Sequence, residues 1–150
     1  MKNMLAVATV LAATCFGAPN FTGEWKLDLA KSKYGPIPPP VEVTRKVILD
    51  GAKLWMSTSQ KSADKQGTSE LRYTIDGKPN VNKLASGDAT GTARWEGDSL
   101  IIDSSQQNGP QELKSHEVWT LSGDGKTLTI ATHLTLPQGG IDVTQVFEKQ

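Results

Sequence analysis

The fold this sequence predicts is an all-β, up-and-down antiparallel barrel of about nine to ten strands, with no helical lid. Three observations carry that prediction. Apolar residues recur with period two along most of the chain, which puts one row of side chains on each face of an extended strand. No window shows the spacing of an amphipathic helix. Reversals rich in Gly and Asp interrupt the alternation, as hairpins require. Strands with one apolar face and no helices to cover it bury that face most economically by curling on themselves, which also removes exposed edges. A flattened two-sheet sandwich satisfies the same pattern.

Lys2, an apolar run from Met4 to Ala13 and then small residues follow the order of a secretory leader, so 1–17 reads as a signal peptide cleaved after Gly17. The run is too short to span a bilayer. Lipidation at Cys15 needs a small residue before the cysteine and finds Thr14. Residues 18–150 are then the barrel domain, periplasmic or secreted. Its first strand is placed at 21–28, where Phe21, Gly23, Trp25 and Leu27 alternate with Thr22, Glu24, Lys26 and Asp28. Val41, Val43, Val47 and Leu49 form one face of a strand at 41–50, followed by 53–59 and by 69–76 with Leu71, Tyr73 and Ile75. A short strand falls near 80–84, and Ala93 with Trp95 marks 91–96. The remaining strands are 99–104, 112–121, 126–135 and 141–148, the last carrying Ile141, Val143 and Phe147.

Tight reversals at Asp50-Gly51, Asp76-Gly77-Lys78, Glu96-Gly97-Asp98 and Gly123-Asp124-Gly125 alternate with longer links at 29–40, 60–68, 85–90, 105–111 and 137–140. The long loops are therefore expected to gather at one end. Within the first of them, Tyr34-Gly35-Pro36-Ile37-Pro38-Pro39-Pro40 forbids helix and reads as a stiff, extended strap.

Composition narrows the function. The chain has 150 residues, enough for one domain, with 16 basic and 16 acidic side chains, so no net field draws it to nucleic acid or to an anionic membrane surface. Neither nucleic-acid binding nor stable membrane insertion is expected. A single cysteine excludes an internal disulfide and a Cys-based zinc site. There is no Gly-x-Ser-x-Gly elbow, no phosphate-cradling loop and no carboxylate pair selected by spacing. His116 and His133 fall on rows that read as solvent-facing, without convergent partners for a metal. No enzyme activity, cofactor or metal is expected.

The informative residues break the alternation. Arg45 lies among Val41, Val43, Val47 and Leu49; Glu117 lies between Leu113 and Trp119; Gln145 lies between Val143 and Phe147. In register, all three point inward, where a charge must be paired, hydrogen-bonded or met by water or a polar ligand head. The alternatives are a structural ion pair or a bulge that turns one side chain outward. Arg45 and Gln145 are the expected anchors for the polar end of a ligand, joined as wall residues by Glu117, Phe147, Trp25, Trp95, Trp119 and Tyr73. The tryptophans at 25, 55, 95 and 119 read first as core, and in a hollow barrel core and ligand wall coincide.

Phe21-Thr22-Gly23-Glu24-Trp25-Lys26-Leu27 resembles the Gly-x-Trp opening of calycins, the superfamily of lipocalins and fatty-acid-binding proteins. The stretch Thr92 to Leu100 resembles the Trp-Glu-Gly hairpin of the fatty-acid-binding branch, and Leu128 to His133 with Val143 to Lys149 resembles its closing strands. The chain looks closer still to small exported bacterial lipocalin-like proteins that share the Trp-x-Leu-Asp opening, the Lys-Ser-x-Tyr-Gly-Pro-x-Pro strap and the Asp-Gly-Lys-Thr-Leu-Thr hairpin. The resemblance implies a barrel holding a small hydrophobic or amphiphilic molecule. It also has gaps. The interval that holds a helical lid in fatty-acid-binding proteins contains only 29–40 here. Gln145 and Phe147 stand where that family's closing strand carries Arg-x-Tyr for a carboxylate. No helix is expected after the last strand.

Two functions follow from this reading. One is a monomeric, non-enzymatic carrier of a small hydrophobic or amphiphilic ligand. The other is a barrel filled by its own side chains that acts through its long loops. A calycin-like isomerase or haem protein is the remaining, lesser possibility.

Overall fold

Alternation dictates the architecture: each strand must hide one row of side chains, and ten such strands hide theirs on a common axis. The computed structural model describes residues 17–150, so the leader expected at 1–17 lies outside the described residues except for Gly17. The strands are β1 (Gly23–Leu27), β2 (Glu42–Asp50), β3 (Lys53–Lys61), β4 (Gln66–Thr74), β5 (Asn80–Leu84), β6 (Gly87–Glu96), β7 (Ser99–Asn108), β8 (Gln111–Leu121), β9 (Thr127–Leu136) and β10 (Gly139–Lys149). The described residues outside them are turns, bends, irregular chain and the isolated bridge positions Lys33 and Ile75, and none is helical.

Every ladder is antiparallel, and the sheet order β4-β3-β2-β1-β10-β9-β8-β7-β6-β5 joins the two ends of the chain, with Trp25 opposite Lys149 and Leu27 opposite Phe147. The barrel is the expected meander, complete except for one seam between β4 and β5. There no backbone ladder forms. Side chains of β5 take its place: the Arg72 backbone N–H donates to Asn82 Oδ1 at 2.8 Å, and Asn82 Nδ2 donates back to the Arg72 carbonyl at 3.1 Å. Two residues along, the Thr74 N–H donates to Asn80 Oδ1 at 3.2 Å. An asparagine amide carries the same donor and acceptor as a peptide group, so it can satisfy an edge that would otherwise be orphaned.

The expected alternation of long and short links does not hold. The strands run on through the segments read as loops, leaving only Ala85-Ser86, Gly109-Pro110 and Pro137-Gln138 between them at one end, and Ser62 to Lys65 between β3 and β4. Serine, glutamine and asparagine in those segments masked strands whose two faces are both partly wet. The one long connection is 28–41. It is part of the wall: Lys33 bridges to Thr144 of β10, with backbone hydrogen bonds of 2.7 and 2.8 Å, and Tyr34 turns inward against the core.

The closed end is solid. Phe21 is fully buried just before β1, stacked on Trp95 at 5.9 Å and edge-on to Trp119 at 5.8 Å. Burying one such ring stabilises the fold by about 1.5–3 kcal/mol. Trp25, Leu100, Leu128, Ile130 and Phe147 complete this floor, each at most 1% exposed. Trp55 departs from the core reading. The inward row of β3 is Leu54, Met56 and Thr58, so Trp55 lies half-buried on the outer face, paired in register with Ile48 and Arg72.

Candidate functional site

Above the floor the inward rows behave differently. In a filled barrel they would be buried at every level. Here Leu113, Ser115, Leu134, Leu136 and Ile141, all on the inward rows of β8, β9 and β10, are half-buried. Ser104 and Gln106 of β7, Leu71 of β4 and Leu84 of β5 match them on the opposite wall. Val43 and Val143, beside the strap, stay buried. The inward rows thus change along the barrel, dry and aromatic at the floor and largely half-buried toward the other end, the cup, where the wall mixes apolar and hydroxyl-bearing side chains and Ala89 and Asn82 stay buried.

The pattern-breaking residues converge where the two zones meet. Arg45 projects from β2 so that its guanidinium carbon lies 5.4 Å from the Trp119 ring centre and 5.2 Å from that of Phe147. Stacking on two aromatic faces compensates part of the loss of water. Its Nε donates to Thr58 Oγ1 at 2.9 Å, across the β2–β3 ladder. Among the described residues nothing accepts from its two Nη groups, and the residue as a whole is half-buried. Burial pulls the Arg45 pKa down, while the charge of Glu117 and then Tyr34 pull it back up.

Glu117 enters from β8. The indole N–H of Trp119 donates to its Oε2 at 2.7 Å. Arg45 and Glu117 are not joined by a direct ion pair. The indole separates them, with the cation over its face and the carboxylate on its N–H edge. Gln145 from β10 donates through Nε2 to the Tyr34 hydroxyl at 2.8 Å, which ties the strap to the interior. Burial raises the Tyr34 pKa, against lowering contributions from Gln145 and Arg45. Tyr73, 4% exposed, has its pKa pushed up to about 12 by burial first and the Glu117 charge second. Its ring needs Gly91 on β6: a Cβ there would lie 3.0 Å from Tyr73 Cε1 and 2.8 Å from the Asp103 carbonyl oxygen.

The structure thus brings together Arg45, Glu117, Gln145, Trp119 and Phe147, with Tyr73 on the same interior wall. Trp25 is the register partner of Arg45 across the β1–β2 ladder, and its indole donates to the Phe21 carbonyl at 2.9 Å, while Trp95 belongs to the floor beneath, stacked on Phe21. Thr58 and Tyr34 complete the girdle and were not singled out from sequence. Thr58 carried the same signal as Arg45, a polar residue in the row of Leu54 and Met56; Tyr34, inside the proline strap, carried none. His116 and His133 are half-exposed on the outer face, their Nδ1 atoms 2.5 and 2.6 Å from Asp103 and Asp142. The described residues contain no cluster of three or more potential metal ligands. A shallow depression on that outer face, lined by Thr92, Asp103, Lys114, His116 and His133, lies on the far side of the wall from the girdle.

The chain matches no protein-family model and no curated protein by sequence. Its fold does match solved structures. A secretory abundant heat soluble protein from Ramazzottius varieornatus superposes with a TM-score of 0.63 at 10% identity, over 89% of this chain and 98% of that one. The zebrafish ileal bile acid-binding protein, solved with cholic acid, gives 0.61 at 16% identity, over 87% and 98%. The Schistosoma mansoni fatty acid-binding protein, solved with arachidonic acid, gives 0.56 at 17% identity, over 87% and 96%. The nearly closed antiparallel meander is therefore calycin-like in fold. At these identities the likeness is one of fold, and the expected resemblance to small exported bacterial lipocalin-like proteins is not confirmed by these matches.

Proposed function

We propose that this chain is a non-enzymatic container for one small hydrophobic or amphiphilic molecule. The observation that carries the proposal is the half-buried state of the inward rows above a dry floor. The ligand's polar end sits on the girdle at Arg45, and its apolar body rises along Leu113, Leu134, Leu136 and Ile141 to the mouth. Such a site fits the usual balance of a mostly apolar wall with a few placed polar groups. The neighbours solved with bile and fatty acids give the reading a precedent on the same fold. The protein acts as a monomer outside the inner membrane. The leader read from Lys2 and Met4 to Ala13 supports export, and the asparagine side chains of β5 that occupy part of the β4 edge support the monomer.

Uptake of the neutral probe N-phenyl-1-naphthylamine, followed by its fluorescence, tests this. Bright, saturable binding that long-chain amphiphiles displace is the expected result. Arg45→Leu should weaken that displacement about tenfold or more, the loss of a hydrogen bond to a charged group. Absence of uptake would overturn the container reading, and an unchanged displacement constant in Arg45→Leu would remove Arg45 from the site.

A further inference from the structure

Among the described residues, Arg45 and Glu117 are the two charged side chains on the inward rows between floor and mouth; Lys149, on the inward row of β10, is exposed at the closed end beside Trp25. Their charges cancel. Held apart by the Trp119 indole, they form a fixed dipole: the two Nη groups of Arg45, with their four N–H donors, on one side, and on the other a carboxylate whose Oε2 alone is engaged. A carboxylate ligand arriving at Arg45 would bring a second anion beside Glu117 in water-poor surroundings, where like charges repel strongly. A head with no net charge that carries both an acceptor and a donor meets no such penalty, since its acceptor faces Arg45 and its donor faces Glu117.

We infer that Glu117 is a specificity-determining residue that selects against carboxylates, and that the ligand class is a long-chain molecule with a neutral donor–acceptor head such as a primary amide. This inference rests on the container reading and sharpens it. The Coulomb coupling of Glu117 to both Arg45 and Tyr73 is in keeping with it, because the carboxylate already acts on the groups around the girdle. Leu113, Leu134 and Leu136 supply the apolar wall for the chain.

The test is displacement of bound N-phenyl-1-naphthylamine by oleamide and by oleate at neutral pH, in the wild-type protein and in Glu117→Gln. The glutamine keeps an acceptor for the Trp119 N–H and removes the charge, and the near-ultraviolet dichroism of the tryptophans checks that the core is intact. Oleamide should displace the probe about tenfold more tightly than oleate in the wild type, and the substitution should bring the two within about twofold of each other. A wild-type preference for oleate, or a ratio unmoved by Glu117→Gln, overturns the selectivity while leaving the container standing. A probe that never enters overturns both.

Discussion

A guanidinium inside a barrel persists only if its surroundings replace the water it has lost, and at Arg45 two aromatic faces and one threonine hydroxyl do that. On the outer wall the same chemistry has a different consequence. Asp103 of β7 accepts from Arg94 at 2.6 Å, diagonally across to β6, and lies 2.5 Å from Nδ1 of His116, its register partner on β8. Partial burial raises the Asp103 pKa, and the hydrogen bonds from Arg94 and His116 outweigh it, so the net shift is downward from 3.8. A carboxylate whose pKa is lower folded than unfolded stabilises the fold above its unfolded value and ceases to as pH falls through the folded one. Asp103→Asn is therefore expected to lower the midpoint of thermal unfolding at neutral pH, with the difference from wild type shrinking as pH drops below about 4. Unfolding followed by dichroism across pH 2–8 checks it; a difference independent of pH would assign Asp103 a packing role only. Arg45, Glu117 and Gln145 were legible because each interrupts an apolar row of known parity. Asp103 was not, since a charged residue on an outer row looks like any solvated one until its partners across the sheet are placed.

At the scale of single elements, the seam between β4 and β5 is where the barrel departs from a simple ladder. Asn82 is 7% exposed and satisfies both backbone polar groups of Arg72. Replacing it with Leu keeps the branched outline and removes both partners, which should destabilise the protein by about 1–3 kcal/mol, read as a shift in the urea unfolding midpoint. A loss of only a few tenths would mean that water replaces the amide at an open seam. The strands were legible to within a few residues because period two survives wherever one face is apolar: β2, predicted at 41–50, is Glu42–Asp50, and the doubtful strand near 80–84 is β5. The boundaries failed toward the mouth, at β4, β6 and β7. There Gln66 to Ser69 and Ser105 to Asn108 are polar on both faces, and Gly87 to Thr90 offers only the small Ala89 to a dry side, so alternation carries little signal.

For the whole molecule, that failure and the candidate site share one cause. Segments whose inward residues are not driven into a packed core look like loops in sequence, and in the folded chain they make the cup. The floor and the mouth should therefore differ in local stability along the same strands, because opening free energy follows local burial. Backbone amides of Leu100, Trp119, Ile130 and Phe147, at the floor, are expected to exchange only through global unfolding. Those of Leu113, Leu136 and Ile141, nearer the mouth, should exchange faster by orders of magnitude and slow by about tenfold or more when the cup is filled, since a ligand at ten times its dissociation constant stabilises the bound state by that factor. Hydrogen exchange followed by NMR, with and without saturating N-phenyl-1-naphthylamine, reads both quantities at once. Equal protection from floor to mouth, unmoved by the probe, would describe a barrel packed through its whole height, and the half-buried rows would then be a rim instead of a chamber.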